Sequence, residues 1–447
     1  MEPKEETDLN KIVALCKRRG FVFPGSEIYG GLANTYDLGP LGVEMLRNVS
    51  NSWWKYFVHS REDMFGLDTS ILMSPRVWEA SGHVANFNDA LIDCLSCRYR
   101  TRADHLIEDY LEKIGREEKV EGRSCSDLDE IIVKNQIPCP SCGKHNWTPV
   151  RKFSGLFETS VGIIVGEKST VYLRGEIAQG MFVNFKNVLD SMRPKLPFGL
   201  AQVGKAFRNE ITLGNFIFRT LEFNLAEFEY FFDPSETKWE DLFEYWQGEM
   251  MSWITLLGIP EEKLRWRVHT DAERAHYSKK TQDLDFEFPM GFKEMLGLAY
   301  RTDFDLKNHM EKSGVDLRYT NPTTGEKLIP HVIEPTFGLN RVLFALLFNG
   351  YTEEENRTVL KLNPEVAPYK FAVFPLLRNK PELVEKAREV YKHLSKNYVV
   401  TWDDRGNIGK RYLSQDEIGT PYCVTVDFET LGNDTVTVRD RDSMLQK

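Results

Sequence analysis

Hydrophobic residues recur at helical spacing in three long stretches of the chain. Residues 8–20 place their apolar positions on one side, and Gly20 is a common helix end. Pro40 precedes a stretch in which large apolar residues return every fourth position as far as Trp53, and proline is well tolerated at a helix start. Residues 237–257 gather tryptophan, phenylalanine and leucine on one face. We therefore predict three amphipathic helices, each packed by its apolar face.

Residues 202–229 show a strand pattern on both sides of a turn. Gly214 and Asn215 separate the two β-rich runs and accept a positive φ at low cost. Because strand side chains alternate between faces, we expect Arg208 and Glu210 to share a face. The second run should place on one face Arg219, Leu221, Phe223, Leu225, Glu227 and Glu229. Such a face can bind phosphate through arginine, stack a purine on phenylalanine and accept an amino group on carboxylates.

The last part of the chain alternates strand and helix patterns. We read the segment ending at Pro364 and Pro368 as a linker. Beyond it the predicted elements are a strand at 370–375, a helix at 382–395, a strand at 398–402, a short helix, and strands at 421–427 and 434–438. Short loops between alternating elements predict a small mixed-sheet domain. A basic turn at Lys410 and Arg411 is compatible with contact to RNA and equally with simple solvation.

Composition narrows the class of protein. The chain has 447 residues, of which 41% are hydrophobic and 28% charged, so two or three globular domains are expected. A net charge of −10 argues against a purely electrostatic nucleic-acid binder, although a local basic face can still bind tRNA. The acidic start is unlike a signal or transit peptide, and no apolar run approaches a membrane span. We expect a soluble cytoplasmic protein.

Four of the seven cysteines form two Cys-x-x-Cys pairs. The pairs are Cys94-Leu-Ser-Cys97 and Cys139-Pro-Ser-Cys142. Two such pairs can offer four thiolates to a tetrahedral Zn²⁺, and the alternative is four reduced thiols without a ligand. The wide separation between the pairs requires the charged helix expected around 104–119 to loop out between them. We predict a structural zinc site in an insert over about residues 90–152, in a reducing compartment.

The hairpin carries a specific sequence pattern. Its text is Phe207-Arg208-Asn209-Glu210, a loop, and then Arg219-x-x-x-Phe223. An isolated Arg-x-Glu is usually a surface ion pair, but the longer pattern is far more restrictive. It resembles motif 2 of the class II aminoacyl-tRNA synthetases, in which this hairpin binds ATP.

Two further stretches resemble the remaining motifs of that class. Residues 30–42 read Gly-Gly-Leu-Ala-Asn-Thr-Tyr-Asp-Leu-Gly-Pro-Leu-Gly. With the helix that follows, this text resembles motif 1 of the glycyl-tRNA synthetases, which builds a homodimer interface in class II enzymes; a plain core helix is the alternative. Residues 334–341 read Glu-Pro-Thr-Phe-Gly-Leu-Asn-Arg before an apolar helix. They resemble motif 3, whose arginine binds the γ-phosphate end of ATP.

The resemblance covers essentially the whole chain and implies roles for individual residues. The implied catalytic residues are Arg208, Glu210 and Arg341. The implied ATP-binding residues are Arg208, Asn209, Glu210, Phe218, Arg219, Phe223, Glu294, Met295, Gly338 and Arg341, with Mg²⁺ beside Glu294. The implied glycine-binding residues are Arg102, Glu176, Glu227, Arg301, Glu334 and Thr336. Considered alone, Arg102 is equally compatible with a surface salt bridge. His83, in a glycyl-like stretch, is interpreted as a structural histidine.

Several positions depart from the family text. They are Gly175 for Pro, Ile177 for Thr, Leu221 for Arg, Asn224-Leu225-Ala226 for Glu-Gln-Met, Thr336 for Ser and Asn340 for Asp. Glycine frees the backbone that proline fixes, so we expect a looser loop around Glu176. Losing a charged hydrogen bond costs about 1.5–3 kcal/mol. We therefore expect ATP binding to persist with impaired glycine activation, and the joint change Leu221→Arg and Leu225→Gln to raise adenylate formation.

These observations predict an α+β protein. Residues 1–365 should form a class II synthetase core, an antiparallel sheet with flanking helices, and residues 366–447 a small α/β anticodon-binding domain. The resemblance implies ATP-dependent activation of glycine and its transfer to tRNA(Gly) by a homodimer. The alternative is a catalytically impaired or non-catalytic synthetase-like protein that binds nucleic acid or a partner; a synthetase for another small amino acid is a further possibility. ATP binding separates the enzymes from the binding module.

Overall fold

The structure, a computed structural model, describes residues 4–116, 118–120, 122–162, 169–211, 214–270, 274 and 277–447. Its helices are α1 Lys4–Arg19, α2 Pro40–Trp54, α3 Pro75–Ala80, α4 His83–Asn86, α5 Ala103–Lys113, α6 Cys125–Lys134, α7 Ala178–Met192, α8 Trp239–Leu256, α9 Phe304–Ser313, α10 Leu339–Gly350, α11 Pro381–Leu394, α12 Ile408–Glu417 and α13 Phe428–Asn433. The three helices predicted from hydrophobic spacing are confirmed as α1, α2 and α8.

The strands before the linker are β1 Val22–Pro24, β2 Tyr36–Leu38, β3 Met64–Gly66, β4 Leu72–Met73, β5 Asn88–Asp93, β6 Arg100–Arg102, β7 Arg151–Ser154, β8 Glu158–Val161, β9 Ser169–Leu173, β10 Phe198–Phe207, β11 Glu222–Phe232, β12 Leu264–Val268, β13 Lys280–Phe288, β14 Gly291–Thr302, β15 Tyr319–Thr320, β16 Lys327–Leu328, β17 His331–Gly338, β18 Tyr351–Glu354 and β19 Arg357–Leu360. The strands after the linker are β20 Phe371–Pro375, β21 Val400–Trp402, β22 Tyr422–Val426 and β23 Thr437–Asp440.

A seven-stranded sheet organises the first part of the molecule. Its strand order is β12-β13-β14-β17-β11-β10-β3, and neighbouring strands are antiparallel except for the parallel pair β3 and β10. The predicted antiparallel core with flanking helices is therefore confirmed. The long strands β11, β14 and β17 lie side by side at its centre, so residues far apart in sequence meet on one surface.

The two faces of β11 have opposite chemistry. Phe228 on one face is fully buried and contacts the rings of Trp53 from α2 and Trp246 from α8. The other face carries Phe223, Leu225, Glu227 and Glu229. Because side chains alternate along a strand, one strand both anchors the hydrophobic core and presents polar groups on the opposite side.

The hairpin differs from its prediction in one respect. Asn215 adopts a left-handed conformation with φ 65°, as expected of the turn. However, β11 begins at Glu222, and Leu221 lies in a bend before it. The expected alternation therefore starts only after Leu221, so Arg219 and Leu221 do not belong to the strand face that carries Phe223.

The insert forms a small layered unit of its own. Strands β6, β5 and β7 make a three-stranded sheet on which α5 and α6 pack through Ile107, Leu128 and Ile132. The charged helix expected around 104–119 is present as α5, but it ends earlier, at Lys113, and a second helix, α6, starts at Cys125. Ser124 and Asp127 form a capping box that fixes this second start.

The C-terminal part confirms the predicted mixed sheet. Its order is β21-β20-β22-β23, with β20 parallel to both neighbours and β23 antiparallel to β22. Arg411 is 2% exposed, and its guanidinium donates hydrogen bonds to the carbonyl oxygens of Pro375, Asp404 and Arg405. The prediction that Arg411 contacts RNA is therefore wrong, because its guanidinium is buried and its donors bond to backbone carbonyls of the turn.

Among the described residues, the structure contains no helix that is both long enough and apolar enough to cross a membrane.

Candidate active site

A cavity opens on the polar face of β11, between the hairpin and the start of α10. It is lined by Arg208, Glu210, Phe218, Arg219, Thr220, Phe223, Asn224, Leu225, Glu294, Met295, Gly297, Thr336, Gly338, Asn340 and Arg341. This set includes nine of the ten residues that the sequence assigned to ATP. The tenth, Asn209, lies beside the cavity and donates its backbone N–H to the carbonyl of Gly155 at 2.9 Å.

Arg208 and Phe223 line the end of this cavity that the sequence assigned to ATP, here named the nucleotide end. The Arg208 guanidinium lies 5.4 Å from the centre of the Phe223 ring and 5.5 Å from that of Phe87. Its Nε donates to the carbonyl oxygen of Gly175 at 3.1 Å. The Gly175 carbonyl thus fixes the Nε edge of the guanidinium, while the side chain still lines the cavity. This arrangement suits stacking of a base on Phe223 and contact of Arg208 with a phosphate.

Arg341 occupies the first turn of α10 on the opposite wall. Its Nη1 lies 3.0 Å from Glu294 Oε2 and donates to the Glu294 carbonyl at 2.9 Å. The guanidinium also lies 4.5 Å from the centre of the Phe218 ring. A Cβ at Gly338 would come within 3.2 Å of the Met295 carbonyl, so glycine permits this close entry into α10. Arg341 and Glu294 therefore form a partly exposed ion pair that a ligand in the cavity can reach.

Glu210 and Arg219 complete the hairpin side. Arg219 Nε lies 3.8 Å from Glu210 Oε2, and both side chains are partly exposed. The pair is at the long limit of an ion pair in water and contributes little stability. Both side chains therefore remain available to a ligand.

The second part of the site is a buried network of charged groups around Arg301. Arg301 is 0% exposed. Its Nε and Nη2 donate to the two oxygens of Asp305 at 2.8 and 2.9 Å, and its Nη1 donates to Glu334 Oε1 at 2.8 Å. The ring of Tyr277 stacks 3.8 Å from the guanidinium carbon. Arg301 therefore holds a fixed set of carboxylates in place, and most of its donors are used inside the protein.

Glu176 lies in the same network and is held by two neighbours. Its Oε1 accepts a hydrogen bond from Gln179 Nε2 at 2.8 Å, and its Oε2 lies 3.4 Å from His83 Nε2. Burial raises the pKa of Glu176, but His83 and Arg301 outweigh it and hold that pKa well below its usual range. Glu176 is therefore an ionised carboxylate in a buried position.

Glu227 and Thr336 connect the two parts of the site. They face each other across β11 and β17, and the Thr336 hydroxyl donates to Glu227 Oε1 at 2.7 Å. Burial and the nearby charge of Glu176 raise the pKa of Glu227 to about 7. Five of the six residues that the sequence assigned to glycine therefore lie together: Glu176, Glu227, Arg301, Glu334 and Thr336.

Arg102 is the member of that set which lies elsewhere. Its guanidinium pairs with Asp104 and Asp89 inside the insert, at 3.0 Å and 3.2 Å. It lines a neighbouring cavity together with Phe87, whose ring also faces Arg208. The salt-bridge interpretation of Arg102 therefore describes its observed contacts.

Sequence reasoning missed other members of the network. His83, assigned a structural role, packs against Trp78 and reaches Glu176 while its Nδ1 lies 2.8 Å from the Ser81 hydroxyl. Asp305 and Gln179 were not singled out, and Glu229 was placed only on a strand face. The two-residue spacing of Glu227 and Glu229 on one strand could have indicated that Glu229 lies beside Glu227. His83 and Asp305 belong to α4 and α9, and their spacing in the sequence does not indicate that they lie near the site.

Four of the residues that depart from the family text form two contacting pairs. The backbone N–H and Nδ2 of Asn224 donate to Asn340 Oδ1 at 2.9 and 3.0 Å. Leu225 packs with Ile177, Ala206 and Phe223 in a small apolar cluster. In these two pairs the partners match in chemistry: amide with amide, and hydrocarbon with hydrocarbon.

The four paired cysteines also come together. Cys94 Sγ lies 3.7 Å from Cys142 Sγ, and Cys97 Sγ lies 3.6 Å from Cys139 Sγ. All four sulfurs are within 4.8 Å of one another. A tetrahedron of thiolates at about 2.3 Å from Zn²⁺ has sulfur separations of this size. The donor set therefore fits a structural zinc ion.

Comparison with known proteins agrees with this geometry. Residues 164–349 match the family described as tRNA synthetase class II core domain (G, H, P, S and T), and residues 370–447 match the anticodon binding domain. The prolyl-tRNA synthetase of Giardia lamblia in complex with prolyl-adenylate has the same fold, with a TM-score of 0.66 and 14% identity over 100% of this chain and 75% of that one. The fold and site are those of a class II aminoacyl-tRNA synthetase.

Relatives of high identity narrow this class. The chain is 52% identical to the glycine–tRNA ligase of Caldanaerobacter subterraneus subsp. tengcongensis over 98% of this chain and 95% of that one. It is 51% identical to the glycine–tRNA ligase of Geobacillus thermodenitrificans over 98% of this chain and 94% of that one. The chain belongs to the glycine–tRNA ligase family. The family and fold class predicted from the sequence are confirmed.

Proposed function

We propose that this chain activates glycine with ATP and transfers the glycyl group to tRNA(Gly). The observation that carries the proposal is the order of groups along one face of β11. Phe223 and Arg208 offer a base and phosphate site, Leu225 follows, and Glu227 faces the buried carboxylate network. Four strand residues span about 13 Å, which suits an extended aminoacyl-adenylate. The base, the phosphate and the amino group of the adenylate can thus lie one after another along this face of β11.

The chemistry requires positioning rather than a protein nucleophile. The glycine carboxylate attacks the α-phosphate of ATP in line, pyrophosphate leaves, and glycyl-adenylate forms. The terminal ribose hydroxyl of tRNA then attacks the acyl carbon and AMP leaves. Arg208 would stabilise charge at the α-phosphate and Arg341 at the departing pyrophosphate. Glu294 would hold Mg²⁺, which when bound neutralises phosphate charge.

Selection of glycine would depend on the space beside Thr336. Its hydroxyl is held by Glu227 at 2.7 Å, and threonine has few side-chain rotamers, so the position of its methyl group is also fixed. Leu225 lines the same cavity as Thr336, and the two side chains would limit the room for a substrate side chain. One methyl group discriminates substrates by about 1–3 kcal/mol in an apolar pocket, so a rigid wall is required for stronger rejection of alanine.

Glycine-dependent ATP–pyrophosphate exchange tests this function, with alanine and serine as controls. Exchange with glycine alone is the expected result. Binding of ATP without exchange would instead favour a non-catalytic synthetase-like protein, an alternative that the high identity to glycine–tRNA ligases does not favour. Exchange with alanine or serine at similar rates would contradict the specificity proposed for Thr336.

The zinc site belongs to this proposal as a structural element of the insert. Cys94, Cys97, Cys139 and Cys142 would hold the ion and join the turn at the end of β5 to the segment before β7. With four thiolates, the site has no open position for a substrate. Elemental analysis should find about one zinc per chain, and Cys97→Ser with Cys142→Ser should reduce it. Purified protein with far less zinc would contradict the assignment.

Dimerisation and location complete the proposal. The loop before α2 exposes Ile28 and Tyr29 at 88% and 87% and Leu32 at 60%, which suits a protein interface. We infer that this surface and α2 form the interface of a homodimer. We also infer that the protein is cytoplasmic. Sedimentation should give twice the chain mass of 51.8 kDa, and Ile28→Lys with Tyr29→Lys should shift the protein towards monomer.

A further inference from the structure

Three glutamates beneath the proposed glycine site form a cluster, here named the carboxyl triad. Glu227 and Glu229 lie two residues apart on β11, and Glu334 lies beside them on β17. One oxygen from each lies within 4.8 Å of the others, and all three residues are buried. Carboxyl groups at this separation cannot all ionise without large repulsion.

Among the described residues, the triad has fewer hydrogen-bond donors than its six carboxyl oxygens require. Glu334 Oε1 accepts from Arg301, and Glu227 Oε1 accepts from Thr336. Within the described residues, Glu227 Oε2 and both oxygens of Glu229 are buried without a hydrogen-bond partner. Glu229 is 0% exposed. An ionised carboxylate in that state is costly, and a proton shared with a neighbouring carboxyl removes the cost.

In the part of the chain that the structure describes, the neighbouring charged groups do not supply a further cation to the triad. Arg301 is the guanidinium beside the triad, and two of its nitrogens are bonded to Asp305. Glu176 adds a further negative charge near Arg301. Arg174 interacts electrostatically with Glu227, but its Nε and Nη1 donate to the carbonyl oxygens of Lys205 and Thr69. The phenol of Tyr277 carries no charge near neutral pH, because burial raises its pKa. Burial likewise raises the pKa of Glu229 and Glu334 well above the usual range.

We propose that the carboxyl triad holds a proton in the empty enzyme and releases it to solvent when the glycine ammonium group binds beside Glu227. The ammonium brings one positive charge and three N–H donors, which replace the proton as the partner of the carboxylates. Glu229 is the positioning residue that determines how tightly this proton is held. The inference rests on the proposed function and adds proton exchange to it.

Calorimetry tests the exchange in the whole protein. Glycine is titrated into enzyme saturated with a non-hydrolysable ATP analogue, at pH 6.5, in phosphate and in Tris, whose ionisation enthalpies differ. We expect about one proton released per bound glycine, and less at pH 8.5. Glycine binding without proton release would overturn this inference alone. Absence of glycine binding at every pH would contradict the proposed function itself and the inference with it.

Glu229→Gln identifies the residue responsible. The amide keeps the side-chain shape and its N–H replaces the stored proton, so glycine should still bind while proton release at pH 6.5 falls below half of the wild-type value. The KM for glycine should fall several-fold between pH 6 and 8 in the wild type and less than twofold in the variant. A purely structural role would instead weaken binding equally at every pH. Glu244→Gln, on the exposed side of α8, is the matched control and should change neither quantity. If Glu229→Gln fails to fold, the wild-type calorimetry still decides.

Discussion

The nucleotide end and the glycine end of the site hold their arginines in different ways. Arg341 has a 23% exposed side chain and a single carboxylate partner, Glu294, which is itself 48% exposed. Arg301 has a 1% exposed side chain and donates to both Asp305 and Glu334. An exposed ion pair is worth about 0–1 kcal/mol, so phosphate can replace it easily, whereas breaking a buried one costs about 3–5 kcal/mol. One end is built to exchange partners and the other to stay fixed.

Removing the fixed arginine should have the largest effect on folding. Arg301→Met leaves Asp305 and Glu334 buried without their cation, so we expect the free energy of unfolding to fall by about 3–5 kcal/mol. Urea denaturation measures the loss. Arg318→Met is the control, because Arg318 and Asp316 form an exposed pair, and such pairs contribute little to stability. If both variants lose the same free energy of unfolding, the buried network of Arg301 is no more stabilising than an exposed ion pair, and this part of the comparison is wrong.

Removing the exchangeable arginine should affect catalysis and leave folding nearly unchanged. Arg341→Ala takes away the charge proposed to stabilise pyrophosphate, so we expect glycine-dependent exchange to slow by about 100- to 1000-fold. The free energy of unfolding should change by less than about 1 kcal/mol. A variant that exchanges at the wild-type rate, or unfolds as easily as Arg301→Met, would count against a separate nucleotide end.

The raised pKa of Glu227 predicts how stability depends on pH. Glu227 binds its proton more tightly in the folded state, where its pKa is about 7. Stability from this group is fully present below the unfolded pKa of about 4.3 and declines as pH rises towards 7. Glu227→Gln does not titrate, so relative to wild type it should gain roughly 2–3 kcal/mol between pH 4.5 and 8. Parallel stability curves for the two proteins would show that Glu227 is not perturbed.

The apolar pair between the two ends should show coupling. Leu225→Gln places an amide against Ile177, and an unpaired buried amide costs about 1–3 kcal/mol. Adding Ile177→Thr supplies a hydroxyl, so we expect a coupling energy of about 0.5–3 kcal/mol in the exchange rate. The sequence predicted that Leu221→Arg with Leu225→Gln raises adenylate formation. Because Leu221 lies outside the strand, we expect that rise to be smaller than the rise from Leu225→Gln with Ile177→Thr. Additive effects of Ile177→Thr and Leu225→Gln would contradict the contact.

The sequence predicted the nucleotide end better than the glycine end for a physical reason. Phe207-Arg208-Asn209-Glu210 and Phe223 belong to one hairpin, where spacing determines which residues meet. His83 and Asp305 join the network through the packing of α4 and α9, and short-range spacing does not reveal that. For the same reason Arg411 was predicted in an exposed turn, although it is buried. The assignment of Arg102 to glycine stays a prediction, and in the free protein Asp104 accepts a hydrogen bond from its guanidinium. The domain boundary near residue 365 stays a prediction.

A crystal structure with glycine and a non-hydrolysable ATP analogue tests the difference between the two ends most directly. We expect Arg341 to leave Glu294 or to share it with the β- and γ-phosphates of the analogue, and Arg208 to contact the α-phosphate. The hydrogen bonds from Arg301 to Asp305 and Glu334 should remain at about 2.8 Å, as they are in the free protein. The assignment of a fixed end and an exchangeable end is wrong if Arg301 gives up Asp305 or Glu334 to contact the ligand while Arg341 stays bonded to Glu294.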